Sequence, residues 1–279
     1  MKAMVRLCGP LLVWMCCSCA EGPRNRFCAA KPEPEVLPAD TMPLEDEDEE
    51  EEAVEEARMD EYFDDFIYSF LHSRRLQRER VGYPLPSADD NGEPQLLHKL
   101  DCRREFAFLR GDFYTVLYGN TLQINEQKER PHETVLVERI MLDSLWMRVY
   151  NFERRGGKWL LTAIHRQDLH QGELSDFLAF YSRFSSDSLF QQQSIAQPLS
   201  YSLLDSEADE EYIEGTIDAS QWASFGAVMP SGEITNIRYG QTYNPHHVVM
   251  QKCGLADGMQ ELFTFEKRAA GWRLVAYEN

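Results

Sequence analysis

The chain is short of basic charge. Lys and Arg number 28 against 47 Asp and Glu, a formal net charge of −19 over 279 residues. A nucleic-acid-binding surface needs a basic footprint, so the deficit argues against nucleic acid as a partner. Cysteine is scarce where it would bear on folding. Of seven, Cys8, Cys16, Cys17 and Cys19 crowd the N-terminus, leaving Cys28, Cys102 and Cys253. An odd set of three allows at most one disulfide within the chain. No C-x-x-C occurs beyond residue 19, which argues against a structural zinc site or a redox motif. The one strongly apolar N-terminal run, Leu7 to Met15, is too short for a spanning helix of about 20 residues. H-E-x-x-H, G-x-S-x-G, P-loop and Rossmann glycine patterns are all missing. No catalytic residue, metal ligand or cofactor-binding residue is therefore assigned, and no cofactor is expected.

Lys2 and Arg6 precede that apolar run, the layout of a secretory signal. With Cys16, Cys17 and Cys19 following, it resembles a bacterial lipoprotein signal, in which a cysteine is lipidated and becomes the first mature residue. Ser18 supplies the small residue just before Cys19, so Cys19 is the expected lipidation site and Cys17 the alternative. Cys16 departs from the pattern, standing where such signals usually carry leucine. An ordinary cleaved signal and an uncleaved anchor are the competing readings.

Residues 20–58 read as a disordered tether after a 1–19 signal peptide. Five prolines (Pro23, Pro32, Pro34, Pro38, Pro43) are followed by the acidic run Glu45 to Glu52, and such a segment cannot bury enough apolar surface to offset its ordering entropy. Residues 45–65 hold fourteen acids and one arginine, so most of the negative charge belongs to this stretch. The plain reading is a self-repelling linker. The sharper one is a calcium-binding or export signal.

The rest of the chain is written twice. Phe63, Phe66, Phe70, Gln77, Val81, Pro84 and Leu85 recur as Phe177, Phe180, Phe184, Gln191, Ile195, Pro198 and Leu199, each 114 residues on. Internal repetition of this kind governs the reading of a fold. Phe63, Phe66, Ile67, Phe70 and Leu71 lie on one helical face, as do Phe177, Phe180, Tyr181 and Phe184. Asp60 is the expected cap of the first helix, and Ser175 or Asp176 of its counterpart. Ser73 and Ser186 restart a short second helix that Pro84 and Pro198 end. Such an aromatic stripe reads as core before it reads as a ligand pocket.

Strand-like runs follow each helical unit. In the first they are 105–109, 113–118, 121–125, 134–141, 145–153 and 158–165. In the second they are 212–217, 226–229, 234–239, 247–253, 260–267 and 272–278. Pro131-His132 matches Pro245-His246, and the hairpin from Phe152 to Ile164 matches that from Phe265 to Tyr277 at a spacing of 113. Helices followed by an antiparallel sheet make an α+β architecture, with one domain over 59–168 and a second over 169–279.

A helical pair, then long strands ending in a Trp hairpin, resembles the cystatin-like cone of the nuclear transport factor 2 superfamily. The F-x-x-F…F…Q…PL start is similar to an uncharacterised family of Bacteroidetes lipoproteins, a domain of unknown function with that fold. The resemblance implies two tandem cone domains, N-terminal helices packed on a curved antiparallel sheet in each. It implies no reaction, because the superfamily holds isomerases and dehydratases beside members that only bind or dimerise.

His165 and Asp168, near the end of the first unit, are the nearest approach to a catalytic pair, and read as surface. His246 and His247 suggest a metal site, but adjacent strand residues face opposite ways. The expected function is a non-enzymatic lipoprotein, lipid-anchored in the cell envelope, most naturally at the outer membrane on its periplasmic or surface face. It would present two tandem domains to an unknown protein or small-molecule ligand. The alternatives are a cone-pocket hydrolase or dehydratase, marked by a buried Asp or His beside a Tyr or Trp with a raised pKa, and a purely structural assembly module, marked by cones filled with Phe and Leu.

Overall fold

The computed structural model describes residues 58–279, apart from residues 90, 101–104, 107–112, 205–211 and 256–257. Cys19, Cys17, the signal and all but the last residue of the tether lie outside the described residues, as do Cys28 and Cys102. In chain order the elements are α1 (Phe63–His72), α2 (Arg74–Glu79), β1 (Leu85–Ala88), β2 (Pro94–Leu97), β3 (Phe113–Tyr118), α3 (Leu122–Glu129), β4 (Thr134–Met141), β5 (Trp146–Arg155) and β6 (Lys158–Asp168). There follow α4 (Ser175–Ser186), α5 (Ser188–Gln193), β7 (Ile195–Leu204), β8 (Tyr212–Ile217), β9 (Glu233–Arg238), β10 (His247–Gly254), β11 (Gln260–Arg268) and β12 (Gly271–Glu278). This is a mixed α+β fold.

The repeated letters have repeated work. Gln77 donates from Nε2 to the Phe70 carbonyl at 2.9 Å, and Gln191 to the Phe184 carbonyl at 3.2 Å. Both satisfy carbonyls that the end of a helix leaves bare. Ser73 Oγ caps α2 by accepting from the Leu76 amide, and Asp187 caps α5 through the Phe190 amide. The expected cap Ser186 is therefore one residue early. Asp60, Ser175 and Asp176 cap nothing: the N-cap positions are Tyr62 and Leu174, neither with a side-chain bond. Asp60 is instead buried, accepting from Arg80 Nη2 at 2.9 Å and from the Trp159 amide at 3.0 Å. Pro84 and Pro198 lie beyond the helices, both after cis peptide bonds, Pro198 inside β7.

The sheets cross the expected boundary at residues 168 and 169. One sheet has the order β6-β5-β4-β9 and the other β3-β10-β11-β12-β7-β8. Thus β3, from the first half, pairs with β10, while β9, from the second, pairs with β4. The free edges of β3 and β9 meet through side chains. Thr115 N–H donates to Thr235 Oγ1 at 2.8 Å and Thr235 N–H to Thr115 Oγ1 at 3.1 Å. Each hydroxyl in turn donates to the other residue's carbonyl, at 2.5 and 3.0 Å. A hydroxyl has one proton and two lone pairs, so the two edges satisfy each other reciprocally, as across a local two-fold axis.

The two cores lie on opposite faces of these sheets. Strand alternation sends Val135, Val137 and Ile237 to α1, and Ile140 and Ile234 to α4. Aromatic rings fill the centre of both helix–sheet interfaces. Phe63, Phe66 and Phe70 pack on Phe152 at 5.3, 5.8 and 5.5 Å between ring centres. Phe177, Phe180 and Phe184 pack on Phe265 at 5.3, 6.1 and 5.4 Å.

Three expectations for strands are corrected. Residues 121–125, rich in β-formers, belong to α3, where Gln123 Oε1 accepts from Gly119 N–H at 2.7 Å and Nε2 donates to the Thr242 carbonyl at 3.0 Å. A Cβ on Gly119 would lie 2.6 Å from that carbonyl oxygen, so the turn into α3 needs glycine. Glu105 and Phe106 form a turn, and 226–229 is irregular. The Pro-His match is also one residue out of structural register. The Arg154 amide bonds to the Glu133 carbonyl as the Lys267 amide bonds to His246, which sets Glu133, not His132, opposite His246.

Candidate functional site: the Glu138 cleft

Glu138 sits in the middle of β4, directly opposite Asn236 of β9. Paired residues on adjacent strands share a face, here the α4 face. Glu138 is 4% exposed. Oε2 accepts from Asn236 Nδ2 at 2.7 Å, and Oε1 from Arg238 Nη1 at 3.4 Å. Asn236 Nδ2 also donates to Tyr243 Oη at 2.8 Å, while its Oδ1 accepts from the Leu117 amide. One side chain therefore ties the edge of β3 to the carboxylate and the phenol. Arg238 lies 5.4 Å over the Tyr243 ring and reaches Glu173 at the rim.

Burial raises the Glu138 pKa above the ordinary carboxylate value, against the lowering pull of the Asn236 and Arg238 contacts. Burial likewise raises the Tyr243 phenol, and the Glu138 charge adds to it. The group opens into a cleft of about 250 Å³ whose apolar wall includes Met147, Leu169, Leu174 and Leu178. A buried acceptor with a raised proton affinity, beside a cation and facing apolar side chains, suits the donor head of a small, partly apolar molecule.

On the opposite face Tyr239, the residue just after β9, donates to Asp64 of α1. Burial, then the Asp64 charge, pushes that phenol well above its usual range.

The residues singled out from sequence lie elsewhere. His165 is exposed on β6 with Nε2 3.1 Å from Asn151 Nδ2, and Asp168 accepts from the His170 amide at 2.8 Å. The pair does not meet. His246 is exposed, and His247 Nδ1 bonds to the Gly119 carbonyl at 2.8 Å. Among the described residues no three His, Cys, Asp or Glu side chains gather as a metal site. Cys253 is buried and forms no disulfide among the described residues. Sequence reasoning missed Glu138, and the one signal was an acid within the alternating apolar run Thr134–Met141.

Among curated proteins none matches this chain. A solved structure does: an NTF2-like protein from Bacteroides fragilis NCTC 9343, 31% identical, covering 78% of this chain and 96% of that one, with a TM-score of 0.71. A family model described as a domain of unknown function, DUF4348, matches residues 43–279. With that match over most of its length, and with an NTF2-like fold among its relatives, the chain belongs to the DUF4348 family.

Proposed function

We propose that the chain is a non-enzymatic lipoprotein, anchored through Cys19 in the cell envelope, whose duplicated cone module binds a small molecule in the Glu138 cleft. The observation that carries the binding reading is the buried carboxyl at the floor of that cleft. The ligand class that fits is an apolar body with an amino or hydroxyl head. Glu138 and Glu173 outnumber Arg238 there, which favours a cation or neutral donor over an anion. The two rings of aromatic core fill the cone centres, so the ligand sits at a cone mouth. The N-terminal signal motif and the acidic tether support an envelope address, with a membrane as the anchoring partner.

The test is ligand-observed NMR with benzylamine, butylamine, benzyl alcohol and benzoate. The amines and the alcohol are expected to bind and benzoate is not. Leu178→Trp, which fills the cleft, should abolish binding. Equal binding to the filled variant would sink the assignment.

A second reading has its own support. A buried carboxylic acid of raised pKa beside Tyr243 is the arrangement that acid–base chemistry requires. The structure leaves Glu138 oxygens bonded to both Asn236 and Arg238, which fits a fixed recognition group better than a proton carrier. Turnover of any bound probe that is lost in Glu138→Gln would favour the enzymatic reading.

A further inference from the structure

The two helix–sheet interfaces differ at one place in the repeat. Ile67 of α1 and Tyr181 of α4 stand 114 residues apart, each just after the second Phe of its stripe. Tyr181 is fully buried, and its phenol donates to the Pro230 carbonyl at 2.9 Å. Its ring packs on Phe177 and Phe265 at 5.7 and 5.9 Å between centres. Ile67 carries no ring and has no such reach.

Beside Ile67 lies a cleft of about 220 Å³, walled by Ile67, Tyr68, Tyr114 and Ile237 with the carboxyl-bearing Asp64 and Asp65. The sheet side of the cleft matches as the helix side does. Ile237 stands two residues past Thr235, as Leu117 stands two past Thr115, and the reciprocal bonds of that Thr pair relate the two strands. Leu117 belongs to the core that holds Tyr181, and Ile237 to the core that holds Ile67. The first half thus keeps open a space that the second half fills with a tyrosine ring.

The lining differs in charge as well as in volume. Asp64 stands where the second half has Leu178, and Asp65 where it has Ala179. Asp64 is half-buried and Asp65 exposed. Tyr239 donates to Asp64 Oδ1, but a carboxylate offers about four acceptor positions, so Asp64 has capacity left for a ligand. Among the described residues that line the cleft, His72 is the one basic side chain, against two carboxylates. Carboxylates beside tyrosine rings favour an ammonium group over an anion. The volume falls below the roughly 300–1,000 Å³ of clefts that hold drug-sized molecules, so the occupant is one ring with a short chain.

We propose that this cleft binds an arylalkylamine, its ring in the space that Tyr181 fills in the other half and its ammonium group on Asp64 and Asp65. The site lies on the α1 face, separate from the Glu138 cleft on the α4 face.

The test is the methyl ¹H–¹³C spectrum of the isoleucine-labelled full chain, titrated with phenethylamine and, at equal ionic strength, with sodium phenylacetate. Ile67 and Ile237 line this cleft, and none of the described residues lining the Glu138 cleft is isoleucine. Their methyl resonances, identified with Ile67→Val and Ile237→Val, should shift and saturate with the amine, in the wild type and in Leu178→Trp alike. Phenylacetate should move neither. Ile67→Tyr supplies the ring that the second half carries, and should leave the Ile237 methyl indifferent to the amine. Asp64→Asn keeps an oxygen for Tyr239 and removes the charge. It should weaken binding about tenfold, the loss of a charge-assisted hydrogen bond. Methyls unmoved by phenethylamine in the wild type would overturn the proposal, as would an equal response to phenylacetate, or undiminished binding in Ile67→Tyr or Asp64→Asn. A response abolished by Leu178→Trp would also overturn it, because the amine would then sit in the Glu138 cleft.

Discussion

Glu138 concentrates the residue-scale chemistry. Burial raises its pKa, so the folded chain holds that proton more tightly than the unfolded chain. The stability this adds is fully present below the unfolded carboxylate range and is lost as pH rises through the higher folded pKa. Glutamine has no charge to bury, and its carbonyl still accepts from Asn236, while Arg238 keeps Glu173. Glu138→Gln should therefore match the wild type near pH 4 and gain on it towards pH 7.5, by on the order of 1 kcal/mol, since a tenfold change in proton affinity is about 1.4 kcal/mol. Thermal melts at a series of pH values read this directly. A difference constant with pH would show that the carboxyl titrates alike folded and unfolded. None of this could be read from the letters, because an acid in an alternating strand pattern does not say which face it takes or who stands across the ladder.

The elements divide into those legible in the sequence and those decided by tertiary contacts. Apolar spacing was enough for α1, whose buried residues are those of the stripe, and nearly so for α4, where Leu178 is buried and Phe180 only half-buried. Strands β3, β4 and β8 begin and end where β-rich composition places them. The run 121–125 misled, because local propensity was overridden by the Gln123 bonds that hold α3 to residues 119 and 242. The exchange of β3 and β9 was hidden for a different reason. Strand partners are set across the whole chain, and Thr115 and Thr235 look like ordinary strand threonines. Thr115→Val keeps the shape and removes a hydroxyl that serves the Thr235 amide and carbonyl. It should destabilise by roughly 1–3 kcal/mol for each buried group left bare. Chemical denaturation measures it. A neutral Thr115→Val would mean that the two sheets are not joined through this pair.

At the scale of the molecule, the exchanged strands tie both cores together, whereas the repeat by itself reads as two separable domains. Each sheet contains a strand from the other half, so neither half can unfold without breaking the other's sheet. Residues 58–279 should unfold in a single calorimetric transition. Phe66 is fully buried and Phe180 only half-buried. Phe66→Ala should cost about 3–5 kcal/mol, Phe180→Ala less, and either should lower the same transition. Two transitions that respond to the two mutations separately would show independent domains. The envelope address is tested apart from the fold: metabolic labelling with a palmitate analogue should mark the wild type and not Cys19→Ala. Label persisting in that variant would move the site to Cys17, and an unlabelled wild type would remove the anchor.

The cleft is tested most directly by the carboxyl ¹³C titration of Glu138, followed with and without saturating benzylamine. Binding and protonation are linked, and the linkage is reciprocal. A cation seated on the carboxylate must lower a pKa that burial had raised. The free protein should show Glu138 titrating above the ordinary glutamate value of 4.5, and benzylamine should bring that midpoint down, with no such change in Leu178→Trp. A Glu138 midpoint that lies at the ordinary value, or one that benzylamine leaves unmoved, would contradict the Glu138 cleft as the binding site.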